Sequence, residues 1–347
     1  MRIAQIAPLH ESVPPRLYGG TERVVYYLTE ELLRQGHDVT LFASGDSRCS
    51  AELRPICQSA LRLESGLLSC PVAWHVLEAE KVAQQAGEFD IVHSHADFFL
   101  FPHIRGRNIP AVSTIHGRLD LPDLFPLYRE FNDMRLISIS DAQRAPMPWA
   151  SWLATVHHGL PEELFSPGSG KGGYLAFLGR ISPEKGPDRA IAIARRAGMP
   201  LRIAAKVDAV DREYFETEIK SLLNDRNIEF VGEIGEHEKQ AFLGDAAALL
   251  FPIGWPEPFG LVMIEAMACG TPVIAFPHGS VNEIVQDGVT GFVVSDVEAA
   301  AGAVLRIPSI SRSQCRAAFE ERFSARRMCR DYLQAYEQVV AATEEAA

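Results

Sequence analysis

Short apolar runs alternate with stretches of helical periodicity along this chain. Residues 3–7 and 39–43 read as buried strands. Between them Val24, Val25, Leu28 and Leu32 fall on one face of a helix that Thr21 can cap and Gly36 can end. A second helix is predicted over 76–86, closed by Gly87 and leading into a strand at 89–92. Further strands are predicted at 111–115, 136–139 and 154–156. Strand and helix in this rhythm imply a parallel sheet covered on both faces.

The rhythm then stops at Ser166-Pro167-Gly168-Ser169-Gly170-Lys171-Gly172-Gly173, whose composition predicts a flexible joint between two compact units that can close on a ligand. Beyond it strands are expected at 174–178, 201–205, 229–231, 248–252, 272–275 and 291–294, with a helix over 187–197 that has Pro in its first turn. The pattern therefore predicts an N-terminal Rossmann-like domain over 1–166, a linker over 167–173 and a second such domain over 174–324. A last helix begins near 325 and carries Met328, Tyr332, Leu333, Tyr336 and Val340 on an apolar face. It can pack back on the first domain, although the sequence does not specify its partner. Two doubly wound sheets of this kind hold ligands at the carboxyl ends of their strands, where the domains are expected to face a cleft.

Composition narrows the function. At 347 residues the chain is long enough for two cores, and 47% hydrophobic with 22% charged residues is an ordinary globular balance. A formal charge of −12 argues against nucleic acid or an anionic membrane as the default partner. It leaves room for a phosphate ligand, which needs only a few local cations and helix ends. The six cysteines show no CxxC pairing and read as reduced thiols of a cytoplasmic protein. The opening apolar run is too short for a signal peptide, and no run reaches the ~20 residues of a membrane span. A soluble protein is expected, with a peripheral membrane contact left open.

Four segments carry candidate chemistry. From Leu261 to Ala268 every residue is apolar except Glu265, and a carboxylate buried in such a helix requires a partner or a ligand. Glu257 precedes Pro258 and is expected to be extended, above a helix start whose free N–H groups near Gly260 and Leu261 suit a phosphate. The bland alternative is a Glu265 satisfied by backbone and a Glu257 exposed in a loop. Arg180 and Lys185 follow the first strand of the second domain and can clamp a diphosphate, unless they are simply solvated loop cations. Gly19 and Gly20 open the first helix of the other domain and let backbone approach a ligand, as an ordinary turn would also allow. His116 ends a strand on the expected cleft side. His93 and His95 form an H-x-H pair for which no third metal ligand stands out, and no DxD pair exists for a metal-bound diphosphate.

These residues resemble a family. Glu257 to Glu265 resembles the E-x7-E motif of retaining GT-B glycosyltransferases, in particular family 4, and the likeness continues through Ala275. Gly179-Arg180-Ile181 with Lys185-Gly186 resembles that family's arginine and lysine pair, and Gly19-Gly20-Thr21-Glu22-Arg23 its N-terminal opening. Val156-His157-His158-Gly159 departs from it at His158, where an asparagine is usual. The resemblance implies a GT-B fold and metal-independent transfer of a sugar, with retention, from a nucleoside diphosphate to a saccharide, lipid-linked glycan or small-metabolite acceptor. It implies that Arg180 and Lys185 hold the diphosphate, Glu257 the sugar hydroxyls and Glu265 the ribose. Phe259, Gly260 and Leu261 would present sugar and phosphate to the helix, Gly19 and Gly20 would close on the diphosphate, and His116 would touch the sugar. No cofactor is implied, and the leaving phosphate would take the acceptor proton. A sugar-nucleotide epimerase or hydrolase on the same fold, and a protein that binds nucleotide sugar without turnover, are the competing readings.

Overall fold

The computed structural model describes residues 1–16, 19–62 and 70–345, so Tyr18, next to the glycine pair, lies outside the described residues. The chain divides into two compact units, Met1–Gly159 with Ala325–Ala347, and Leu160–Ser324.

The first unit is built on a seven-stranded sheet of β1 (Arg2–Ile6), β2 (Asp38–Ala43), β3 (Glu52–Pro55), β4 (Ile91–Ser94), β5 (Ala111–Thr114), β6 (Leu136–Ser138) and β7 (Trp152–Thr155). Its order is β3-β2-β1-β4-β5-β6-β7, and every pairing is parallel. Burial on both faces explains the near-continuous apolar runs that make these strands legible. The edge strand β3 is not foreseen by the pattern. It is half-exposed, polar and ends at Pro55, as edges tolerate.

Two helices differ from expectation at their starts. The first spans Gly20–Arg34 with Gly19 at its cap and no side-chain cap bond, so Thr21 lies inside the helix rather than capping it. A side chain on Gly19 would stand 2.7 Å from Pro15 Cβ, so the glycine serves close packing at the turn. The second begins at Pro71, where the proline suits a first turn, and ends at Gln85. The last helix, Ala325–Glu345, packs on Gly20–Arg34 and on β4 and β5, with Tyr332 and Tyr336 fully buried.

The second unit holds a six-stranded parallel sheet of β8 (Leu175–Arg180), β9 (Leu201–Lys206), β10 (Ile228–Gly232), β11 (Ala248–Phe251), β12 (Val273–Ala275) and β13 (Gly291–Val293), in the order β10-β9-β8-β11-β12-β13. The glycine-rich segment expected as a flexible joint belongs to this unit. Its N–H groups at Ser166, Gly168, Gly170 and Gly172 donate to Gln240 Oε1 and to the carbonyls of Cys269, Gly244 and Asp245, at 2.7–3.0 Å. The Arg312 guanidinium donates to the carbonyls of Gly168, Gly244, Ala246 and Cys269. A Cβ on Gly168 would stand 2.2 Å from the Gly244 oxygen. These glycines therefore permit close backbone approach, and the segment is pinned.

Among the described residues no helix is long and apolar enough to cross a membrane.

Candidate functional site

Strand order in the second sheet reverses between β8 and β11, so the loops leaving their carboxyl ends lie side by side. That juxtaposition brings together residues distant in sequence. The Lys185 ammonium contacts Glu257 Oε2, and the Trp255 indole N–H donates to the same oxygen at 2.8 Å. Lys185 Nζ also lies 5.1 Å from the Trp255 ring centroid, within cation–π range. The lysine and glutamate side chains retain 16% and 11% of their exposure, enough for a ligand to reach a pair that is otherwise enclosed.

Both loops are stapled from below by Arg189, which donates to the Pro252 carbonyl at 2.6 Å and the Pro183 carbonyl at 3.1 Å. The Gly254 N–H donates to the Glu184 carbonyl at 2.8 Å. On the other side, Ser280 donates its N–H to the Glu257 carbonyl at 3.0 Å and its hydroxyl to the Phe259 carbonyl at 2.7 Å. Gly279 has φ +57°, and a Cβ there would stand 2.2 Å from the Glu257 oxygen, so only glycine allows this support.

The loop ends at Gly260, φ +80°, which starts the helix Leu261–Ala268 without a side-chain cap. The Met263 N–H donates to the Gly260 carbonyl at 3.0 Å, and the N–H groups of Leu261 and Val262 before it lie in the turn that lacks intrahelical acceptors, the condition for holding an anion. Two turns on, Glu265 is buried and accepts from Lys239 Nζ at 2.6 Å. The two carboxylates thus match neither bland alternative. Glu257 is buried rather than exposed, and Glu265 is satisfied by a lysine rather than by backbone alone. Lys239 was not foreseen; it comes from the helix Glu236–Gly244, whose sequence reads as an ordinary polar face.

Arg180, at the end of β8, sits among three carboxylates: Glu184 at 2.5 Å, Asp211 at 3.3 Å and Asp208 at 3.7 Å. Burial holds the Asp211 carboxyl above its ordinary range.

In the first unit the structure places the other predicted residues. Gly19 and Gly20 form the uncapped start of the first helix. Glu22 in its first turn is buried, and burial pushes its carboxyl up to about 7, which lessens the negative charge beside a helix end suited to anions. His116 follows β5, is half-buried, and is drawn down to about 3 by burial. Its Nε2 lies 2.9 Å from His95 Nδ1, and its ring stacks on His158 at 5.2 Å. Both nitrogens of His93 and of His95 face protein hydrogen-bond partners, so the H-x-H pair is used internally.

A model described as Glycosyl transferases group 1 matches residues 161–322, and one described as Glycosyltransferase Family 4 matches residues 18–164. The chain is a glycosyltransferase of the GT-B fold. It is 26% identical over 343 residues to the D-inositol 3-phosphate glycosyltransferase of Mycolicibacterium smegmatis, a match covering 80% of this chain and 75% of that one. It is 29% identical over 292 residues to the enzyme of the same name from Mycobacterium marinum, covering 68% and 59%. The chain thus spans less than two thirds of the second relative's length. Among solved structures, AviGT4, involved in avilamycin A biosynthesis, superposes with a TM-score of 0.75 at 22% identity over 98% of both chains. The sucrose-phosphate synthase of Thermosynechococcus elongatus gives 0.76 at 21%, covering 98% and 99%. Anabaena HepE, in complex with UDP and glucose, gives 0.74 at 18%, covering 97% and 99%. These structures support the fold of this glycosyltransferase.

Proposed function

We propose that this glycosyltransferase moves a sugar from a nucleoside diphosphate, most simply a uridine diphosphate, to a hydroxyl of a small acceptor, with retention at the anomeric carbon and without a metal. The observation that carries this reading is the Lys185–Glu257 pair at the strand-order reversal, one short loop before an uncapped helix start. An ammonium has three donors, so Lys185 can keep Glu257 and also hold a phosphate oxygen. Arg180 supplies a second cation, which the donor diphosphate would draw from its carboxylate partners.

In this reading Phe259, Gly260 and Leu261 carry sugar and phosphate onto the helix start. Glu257 accepts from the sugar hydroxyls and Glu265 from the ribose. Gly19 and Gly20 are assigned to the diphosphate and His116 to the sugar. Charge growing on the departing phosphate is stabilised by Arg180 and Lys185, an effect typically worth ~2.7–4 kcal/mol per donor. The same phosphate takes the proton of the attacking acceptor hydroxyl. The choice of uridine follows the UDP-bound neighbour, and a small phosphorylated polyol as acceptor follows the named relatives.

Incubation with isotope-labelled nucleotide sugars and a panel of polyol and saccharide acceptors tests the reading. Label on an acceptor, with the anomeric configuration kept, is the expected product. Epimerised donor or free sugar as the main product would transfer the assignment to an epimerase or hydrolase.

A further inference from the structure

Strands β1, β4 and β5 carry polar side chains where a parallel sheet normally buries apolar ones. Gln5, His93 and Thr114 on these strands, and His95 just past the end of β4, are all buried. Groups so placed must be hydrogen-bonded, and here the bonds form one chain. His116 Nε2 lies 2.9 Å from His95 Nδ1, and His95 Nε2 lies 2.8 Å from Gln5 Oε1. The Gln5 amide N–H donates to the Tyr336 hydroxyl at 3.1 Å. Tyr336 in turn faces His93 Nδ1 at 2.6 Å, His93 Nε2 faces Thr114 Oγ1 at 2.7 Å, and the Thr114 hydroxyl donates to Tyr332 at 3.2 Å. Two of these groups come from the last helix, far away in sequence.

Burial holds the rings of His93, His95 and His116 below their ordinary range, so each is neutral with one N–H and one lone pair. The directions then follow. Gln5 Oε1 has no proton to give, so His95 carries its proton on Nε2 and offers a lone pair at Nδ1. His116 must therefore carry its proton on Nε2. Its other nitrogen, Nδ1, is buried and has no partner. Reversing every bond would turn the Gln5 amide over and leave an N–H at that same position without an acceptor. A buried orphan N–H is the rarer outcome.

We propose that Gln5, His95 and Tyr336 are positioning residues that hold His116 in the tautomer protonated at Nε2, so that Nδ1 is presented as an acceptor for a hydroxyl hydrogen of the bound sugar. The second half rests on the assignment of His116 to the sugar given above; the first half does not. The last helix then has a task beyond packing, since Tyr336 fixes the amide that fixes the histidines.

Long-range nitrogen–proton correlation of the histidine rings in the full chain reads the tautomers directly. In wild type, His116 should show an unprotonated Nδ1 and a protonated Nε2. Gln5→Leu should lose this single tautomer, whereas Gln5→Glu should keep it, because a carboxylate still accepts from His95 Nε2. Tyr336→Phe, which frees the amide to turn, serves as the second variant if Gln5→Leu does not fold. With a turned-over donor, Gln5→Leu should lower kcat by roughly tenfold or more, leave nucleotide Kd unchanged, and be rescued by Gln5→Glu. A proton on His116 Nδ1 in wild type, or tautomers unaltered in both Gln5→Leu and Tyr336→Phe, overturns the proposal. Tautomers as stated together with wild-type transfer by His116→Ala would overturn the hydroxyl contact alone and leave the relay standing.

Discussion

Lys185 and Glu257 are 72 positions apart, and their contact depends on which strand lies next to which. Each was legible singly, from a cation after a strand and a carboxylate before a buried helix. Their pairing, Trp255 beneath them and Lys239 against Glu265 were not, because side-chain partners across a sheet leave no local signal. Lys185→Ala should slow transfer by about 10²–10³-fold, the loss of one donor to developing phosphate charge. The 11% exposure left to the Glu257 side chain lets water reach it once the lysine is removed, so the thermal unfolding profile should remain cooperative. Wild-type turnover in this variant would reject the role of Lys185. Glu265→Gln should weaken nucleotide binding itself, because an amide is a poorer acceptor for two ribose hydroxyls; calorimetric titration with nucleoside diphosphates checks it.

Whole elements are more legible in this sequence than contacts. Parallel strands are apolar on both faces and bounded by turn residues, so nearly every one appeared in the pattern. The exception, Glu52–Pro55, is a polar edge. Glycines misled most. Gly168 and its neighbours suggest freedom by composition, yet they serve close backbone contact within the second unit. Gly279 carries no local sequence signal, although it holds up the loop that carries Glu257. Gly279→Ala combines a left-handed backbone with a collision against the Glu257 carbonyl, and should cost at least ~2 kcal/mol of stability. Urea unfolding measures that loss, and donor KM should rise with it. A variant as stable as wild type would show that the loop is held some other way.

At the scale of the molecule, buried titratable groups set the response to acid. His93, His95, His116 and His158 all lie below their ordinary range in the folded chain. On unfolding below about pH 6.5 each takes up a proton, so their contribution is present above that pH and is lost as pH falls. Glu22, raised to about 7, and Asp97, raised to about 6, act in the opposite sense: they are protonated in the folded chain and lose protons on unfolding. His75 and Glu78, which face each other, offset one another. Four histidines outweigh two carboxyls, and stability should fall by on the order of 1–3 kcal/mol per pH unit between about pH 6 and 5. Denaturant unfolding at those two pH values tests the sign; a rise in stability on acidification would contradict it.

In the proposed function the second unit binds a nucleoside diphosphate at the Lys185, Glu257 and Glu265 loops. Calorimetric titration of UDP, GDP and ADP into wild type and into Lys185→Ala and Glu265→Gln addresses it most directly. Saturable one-to-one binding of at least one nucleotide, weakened in both variants, is the expected result. Absence of binding by all three nucleotides, or equal affinity in wild type and both variants, would contradict it.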